Sequence, residues 1–165
     1  RDHKAKSIMV GAGPSIQPSA DGSLVRKMIS SKFWRLLFSI TGAPAFISGA
    51  NQLAYLHHCP SADEVADYVA SYSGRIGPIT KWFKSYPDGC KDIDPHLATL
   101  NLPVHVFWGE HDAFLKADNG KKLHARLPNS ALTIFRDCGH FFYQDKSAEF
   151  TALIRSWIKG GYTLG

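Results

Sequence analysis

The sequence predicts an α/β fold in which parallel strands alternate with helices. Residues 6–10 and 102–108 are near-continuous apolar runs, typical of strands that are buried on both faces of a parallel sheet. A third apolar run at 131–135 is separated from the second by a helical pattern. Up to residue 95, by contrast, helical patterns follow the first run with no strand between them. The chain is therefore expected to combine a small parallel sheet with a long helical insertion.

The first predicted strand, at 6–10, runs into glycines and a proline at 11–14. These glycines imitate the start of a dinucleotide-binding fingerprint. However, Ile16 stands where its third glycine would fall, and no partner strand with an acidic end follows. We interpret 11–14 as the loop after a buried strand. Since a complete domain rarely begins inside its first central strand, we expect the chain to be a fragment.

Residues 15–95 are predicted to form short helices. The clearest begins after Ser61, because Ser61 and Glu64 fit a capping box ahead of an apolar stripe at helical spacing. Glycine and proline are expected to break the pattern at Gly22, Gly42, Pro44, Gly49, Pro60, Gly74, Gly77, Pro87 and Gly89.

Beyond residue 95 the pattern becomes strand, helix, strand, helix. A helix is predicted over 116–127, ending before Pro128, and the last helix runs from near Asp145 to Gly160. Its apolar positions follow helical spacing: Phe150, Leu153, Ile154, Trp157 and Ile158.

Composition limits the classes of partner. The net charge of +5 comes from 19 basic residues that are spread along the chain, so we expect no nucleic-acid partner. The most apolar region, 24–47, contains charged residues, glycine and proline, so we expect no membrane span. Residues 1–4 do not resemble a signal peptide. Three cysteines fit neither a disulfide framework nor zinc-ligand spacing, and we expect a reducing, cytoplasmic setting.

Two strand ends carry residues with catalytic chemistry. The segment 109–112 follows the second strand and ends in Asp112, and 138–140 follows the third and ends in His140. Because ligands of open α/β sheets bind at the carboxyl ends of strands, both loops are expected at one crevice. A carboxylate that holds one imidazole nitrogen leaves the other nitrogen to accept a proton. We predict Asp112 as the catalytic acid and His140 as the catalytic base.

Other interpretations of these residues are available. Glu110 and His111 compete with Asp112 for the role of the acid. Asp112 alone would fit a turn or a helix cap, and His140 would fit an ordinary loop histidine. The 57–59 segment, His-His-Cys, suggests a metal site, but adjacent residues do not converge easily on one ion and nothing nearby completes four ligands. We therefore expect no metal.

Aromatic side chains are the candidate substrate contacts. Phe114 and Phe141 follow the two predicted catalytic residues, two positions after Asp112 and one after His140, and are expected to touch the substrate. Trp34, Trp82 and Phe83 lie in the helical insertion, where aromatic residues at helical spacing form either core or pocket wall.

The segment Gly109-Glu110-His111-Asp112-Ala113-Phe114, followed by Cys138-Gly139-His140-Phe141, resembles the C-terminal part of the α/β-hydrolase superfamily, in which the acid precedes the histidine. The resemblance implies a partial α/β-hydrolase fold whose parallel strands are the family's sixth, seventh and eighth, with a helical cap inserted after the first of them. Residues 1–14 would hold the first core strand, 15–95 the cap and 96–165 the C-terminal part of the core.

Within the cap, 45–49 and 67–73 resemble the epoxide-hydrolase and haloacetate-dehalogenase-like branch. That branch often has Trp-Tyr-Arg or Tyr-Arg in the cap, whereas this chain has Trp-Phe-Lys at 82–84. Phe83 cannot donate the hydrogen bond with which the tyrosine activates an epoxide oxygen or contacts a halide. This substitution argues against epoxide opening.

The sequence contains no Gly-x-nucleophile-x-Gly elbow. We therefore expect the chain to supply acid and base for hydrolysis of a small, mainly apolar ester, epoxide or haloacid, without a cofactor, and to be inactive without an N-terminal half. Its expected partners are the substrate and either that half or a second copy, through the unpaired edge of 6–10. The alternatives are a ligand-binding or sensing protein on the same fold and a purely structural fragment.

Overall fold

The sheet is the centre of the structure. The computed structural model describes residues 5–13 and 31–163, and for 83–91 it describes the backbone alone. The three strands are parallel and lie side by side in chain order, which confirms the predicted sheet. They are β1 (Ile8–Gly11), β2 (Val104–Gly109) and β3 (Ser130–Phe135).

Among the described residues, helices lie in both connections and at the C-terminal end. The connection from β1 to β2 contains the long helical insertion, and the connection from β2 to β3 contains a single helix. The helices are α1 (Lys32–Ala54), α2 (Ala62–Tyr72), α3 (Ile76–Leu97), α4 (Asp118–Arg126), α5 (Phe142–Asp145) and α6 (Ser147–Lys159). The part of the predicted helical region before residue 31 lies outside the described residues.

The strand β2 separates two apolar clusters, because successive side chains of a strand point to opposite faces. Val104, Val106 and Trp108 lie on one face, with Leu97, Leu115 and Leu127 packed there. Phe107 belongs to the other face, which it shares with Phe135, Cys138 and Phe142. Burial on both sides explains the near-continuous apolar run of this strand.

The start of α2 is the capping box predicted from the sequence. The Ser61 hydroxyl accepts the backbone N–H of Glu64 at 3.2 Å, and the Glu64 carboxylate accepts the N–H of Ser61 at 2.7 Å. These bonds satisfy two of the backbone donors that a helix N-terminus otherwise leaves unpaired.

Glycine and proline act differently in the two long helices. The helix α1 is kinked at Gly42, whose φ of 71° lies in the left-handed region, two residues before Pro44. In α3, the prediction of short helical pieces is wrong, since one helix continues through Pro87 and Gly89 to Leu97. Helix-breaking residues are local preferences that the rest of a fold can override. Among the described residues, no helix combines the length and apolarity that crossing a bilayer requires.

Candidate active site

Asp112 follows β2 and is held in a fixed orientation. Its side chain is fully buried. The oxygen Oδ1 accepts the backbone N–H groups of Phe114 and Leu115, each at 2.8 Å. Both donors come from the turn that Asp112 itself begins, as is common for aspartate in turns. With Oδ1 occupied in this way, the second oxygen, Oδ2, points away from the turn.

The imidazole of His140 contacts that second oxygen. Its ring nitrogen Nδ1 lies 2.7 Å from Oδ2 of Asp112, so the predicted contact between the two side chains is present. A carboxylate only accepts hydrogen bonds, and Nδ1 therefore carries the proton. Within the described part of the chain, the other ring nitrogen, Nε2, makes no hydrogen bond. The imidazole side chain is 20% exposed, which leaves it accessible to a reacting group.

The two loops meet because β2 and β3 are adjacent and end together. Gly109 is in register with Phe135, so both loops leave the sheet at the same edge. The backbone N–H of Glu110 donates to Phe135 O at 2.9 Å, and that of His111 donates to Cys138 O at 3.0 Å. These bonds continue the pairing beyond the strands and fix the spacing between the loops.

Glycine is required where the loops touch. A Cβ atom on Gly109 would collide with the carbonyl oxygen of Gly139, and a Cβ on Gly139 would collide with that of Ala54. The obstacle in each case is backbone, which cannot rotate away as a side chain can. Both glycines therefore allow the close approach that brings Asp112 and His140 together.

The competing acids occupy other positions. Glu110 is exposed, and its carboxylate accepts the backbone N–H of Asp137 at 3.0 Å. His111 is also exposed, and its Nε2 lies 3.7 Å from the Glu110 carboxylate. Neither side chain contacts His140 in the described structure, whereas Asp112 does.

Two of the five predicted substrate contacts lie at the imidazole. The rings of Phe114 and Phe141 have their centroids 5.1 Å and 5.3 Å from that of His140. Behind them, the Tyr55 ring lies 5.0 Å from Phe141. An aromatic wall thus borders the imidazole of His140. Tyr55 comes from the end of α1, and nothing in the sequence had marked it.

The three other predicted contacts lie in the helical insertion. Trp34 is 40% exposed and stacks on Phe38, at a centroid distance of 5.8 Å, within the helical insertion. Trp82 is 54% exposed on α3. The side chain of Phe83 lies outside the described residues.

Asp145 also lies at the site, although the sequence pattern predicted only a helix start there. Its carboxylate accepts the backbone N–H of Gly139, next to His140, and further N–H groups from residues 56–58. Burial acts to raise the pKa of Asp145, but these four donors outweigh it, and the pKa lies below its usual value. The partners are up to 89 residues away in sequence, so no local pattern signals them.

The histidines near the site have separate partners. Nε2 of His57 lies 2.9 Å from the Asp137 carboxylate, and Nε2 of His58 lies 3.5 Å from Glu64. The hydrogen bond from His57 is the main cause that lowers the pKa of Asp137. In the residues that the structure describes, no group of three or more candidate ligands converges on a metal position.

Comparison with known proteins places this geometry in a wider context. No protein-family model matches the chain. A 2-hydroxy-6-oxononadienedioate/2-hydroxy-6-oxononatrienedioate hydrolase of Klebsiella pneumoniae is 31% identical over 90 residues, which are 54% of this chain and 31% of that protein. A similarly named hydrolase of Pseudomonas putida is 32% identical over 93 residues, covering 56% and 32%. The match thus spans about a third of the length of these curated relatives.

Solved structures are similar over more of the chain. An α/β-hydrolase enzyme from a Medee basin deep-sea metagenome library matches with a TM-score of 0.70 at 18% identity, covering 93% of this chain and 56% of its own. A bromoperoxidase from Bacillus anthracis matches with a TM-score of 0.66 at 18% identity, covering 93% and 58%. At such identities the likeness establishes the fold. The chain has part of the α/β-hydrolase fold, as the sequence predicted.

Proposed function

We propose that this chain supplies the catalytic acid and base of a hydrolase whose nucleophile lies in a part of the protein outside this sequence. The observation that carries the proposal is the 2.7 Å contact between Nδ1 of His140 and the buried Asp112 carboxylate. It lies at the carboxyl edge of a parallel sheet, where ligands of such folds bind. The α/β-hydrolase fold and the hydrolase names of the similar proteins support the same conclusion.

The chemical step assigned to the pair is proton transfer. Nε2 of His140 takes the proton of the attacking nucleophile or water, and Asp112 stabilises the imidazolium that results. The proton then passes from Nε2 to the leaving group. The two N–H donors on Oδ1 of Asp112 keep its carboxylate aimed at the imidazole, so that the correct ring nitrogen stays protonated.

The proposed substrate is small and mainly apolar, since Phe114 and Phe141 border the base. Esters are favoured over epoxides, because Phe83 has no hydroxyl to activate an epoxide oxygen. Haloacids, on which the haloacetate-dehalogenase-like branch would act, remain part of the proposal. The dienedioates that appear in the names of the curated relatives are further compounds to test as substrates.

We further propose that the N-terminal half of the protein completes the sheet and that the insertion acts as its cap. In the described sheet, β1 pairs on one side with β2, and its other edge offers unpaired backbone groups. A strand from the N-terminal half would pair there and bring the nucleophile. Residues 54–58 join the insertion to the His140 loop, as expected of a cap above the site.

The test uses the full-length protein and a panel of esters, haloacids, epoxides and dienedioates. His140→Ala and Asp112→Asn are expected to lower kcat/KM by roughly 10³ to 10⁴-fold, as for members of such triads. His96→Ala is the matched control, because this histidine is exposed near the end of α3, and it should keep wild-type activity. Wild-type rates in the His140 and Asp112 variants would refute the catalytic assignment.

Two further measurements separate the alternatives. A full-length protein that binds panel compounds but turns none of them over would be the ligand-binding protein instead. The 165-residue chain alone should be inactive, and light scattering should show it to self-associate or to bind the separately produced N-terminal half. An isolated chain that is monomeric and hydrolytic would contradict the proposed external nucleophile.

A further inference from the structure

The Asp145 carboxylate is a convergence point for backbone donors. Oδ1 accepts the N–H groups of His57 at 3.0 Å and His58 at 2.8 Å. Oδ2 accepts those of Leu56 and Gly139, both at 2.9 Å. Three of the donors belong to the loop after α1, and the fourth is the residue directly before His140. One side chain therefore ties two distant parts of the chain together.

The backbone on the other side of His140 is bonded to the last residue of α1, which directly precedes that loop. The N–H of Phe141 donates to the carbonyl oxygen of Ala54 at 3.1 Å. We call residues 54–58 the bracing segment. Gly139 lies directly against this segment, since a Cβ there would collide with Ala54 O. Both residues that flank His140 are thus held by the bracing segment, Phe141 directly and Gly139 through Asp145.

This arrangement differs from an ordinary helix cap. A capping carboxylate accepts N–H groups from the first turn of its own helix. The donors to Asp145 instead lie 6 residues before it, at Gly139, and 87 to 89 residues before it, in the bracing segment. Hydrogen bonds to an ionised acceptor are stronger than those between neutral groups. The carboxylate thus suits the task of fixing two loops relative to each other.

We propose that Asp145 is a positioning residue, which holds the His140 loop on the bracing segment so that the imidazole stays aligned between Asp112 and the reacting atoms. The proposal rests on the proposed function for its kinetic consequence. Its structural consequence, the alignment of His140 on Asp112, is measurable without any substrate. It also couples the end of α1 to the base, because a shift of the bracing segment moves the peptides around His140.

The direct test is nuclear magnetic resonance of the His140 ring in the full-length protein. The Nδ1 proton that is bonded to Asp112 should give a downfield signal that exchanges slowly with water. Asp145→Asn removes the charge and turns one acceptor oxygen into a donor facing backbone N–H groups. The signal is expected to weaken or exchange faster in this variant. Asp145→Glu restores the charged acceptor and should recover part of the signal, and it serves as the readout if the asparagine variant does not fold.

Kinetics give a second readout. In a full-length protein that turns over substrate, Asp145→Asn should lower kcat by about 10 to 100-fold, the scale expected when catalytic groups are displaced by about an ångström. The KM should change less than kcat, because the Asp145 carboxylate accepts backbone N–H groups and does not bind the rings of Phe114 and Phe141. Asp63→Asn, an exposed carboxylate in the first turn of α2, is the control and should leave both parameters unchanged.

A control for general destabilisation is Leu127→Ala, which opens the core next to β3 at the end remote from His140. It should lower the melting temperature and leave the His140 signal intact. A folded Asp145→Asn variant with the wild-type signal would overturn the proposal, and so would equal loss of the signal in Leu127→Ala. If the wild-type protein turns over no substrate, the proposed function fails, while the ring signal still decides the role of Asp145.

Discussion

The loops at the carboxyl edge of the sheet and the first helix of the insertion are built in opposite ways. The loops carry Asp112 and Gly139, which are buried, and they are fixed by backbone hydrogen bonds to each other and to the bracing segment. On α1, large apolar side chains remain outside, with Phe33 67% and Ile40 74% exposed. The position of the Asp112–His140 pair therefore depends on backbone contacts, whereas much of the apolar surface of α1 contributes little to the core.

The largest expected difference in stability is between variants of two tryptophans, one in each region. Trp108 is 1% exposed, and its indole N–H donates to Leu115 O at 2.7 Å beneath the Asp112 turn. Trp108→Ala should destabilise the protein by about 3 to 5 kcal/mol, the range for large buried aromatic residues. Trp34→Ala should cost well under half as much, because Trp34 is 40% exposed. Urea unfolding of both variants measures the difference, and equal losses would contradict the contrast between the two regions.

A smaller difference is expected between two glycines. Gly139→Ala places a Cβ against Ala54 O and should destabilise the protein by about 1 to 3 kcal/mol, as overpacking does. It should also reduce activity, since the backbone next to His140 must move. Gly49→Ala is the matched change in α1, where nothing lies within 4 Å, and it should stabilise the helix by up to about 1 kcal/mol. Thermal unfolding should show a lower melting temperature for Gly139→Ala and a higher one for Gly49→Ala than for the wild type.

The smallest effect is the acid dependence of stability. The pKa of Asp145 is lowered on folding, so the unfolded state binds more protons between the two pKa values, and stability rises with pH across that window. The contribution is complete above about pH 5 and is lost as the pH falls below about 3.9 through the folded-state pKa.

The comparison variant is Asp118→Asn. Lys121 lowers the pKa of Asp118 through an exposed hydrogen-bonded ion pair, which salt screens. Urea unfolding at a series of pH values from 7 to 3, in moderate salt, measures the free energy of unfolding. As the pH falls, this free energy should decrease less steeply in Asp145→Asn than in the wild type and about as steeply as in the wild type in Asp118→Asn. If the loss of stability at low pH were reduced in Asp118→Asn alone, the acid dependence would come from Asp118 and not from Asp145.

The sequence by itself determined the strands, the capping box of α2 and the meeting of Asp112 with His140. Each follows from a local pattern or from a general property of parallel sheets, whose strand ends share one edge. The sequence favoured Asp112 as the acid and left Glu110 and His111 as alternatives, since all three lie in the same loop. Only the packing of the two loops shows that Asp112 faces the imidazole.

The tertiary structure alone decided what surrounds the pair. Glycine and proline predicted breaks in the insertion, and yet α3 continues through Pro87, because local preferences are weak beside the packing of the whole chain. Tyr55 contacts Phe141, and Asp145 contacts the bracing segment, across separations of more than 80 positions. Periodicity and capping signals extend over a few turns of chain. Contacts across such separations exist only once the fold has brought the segments together.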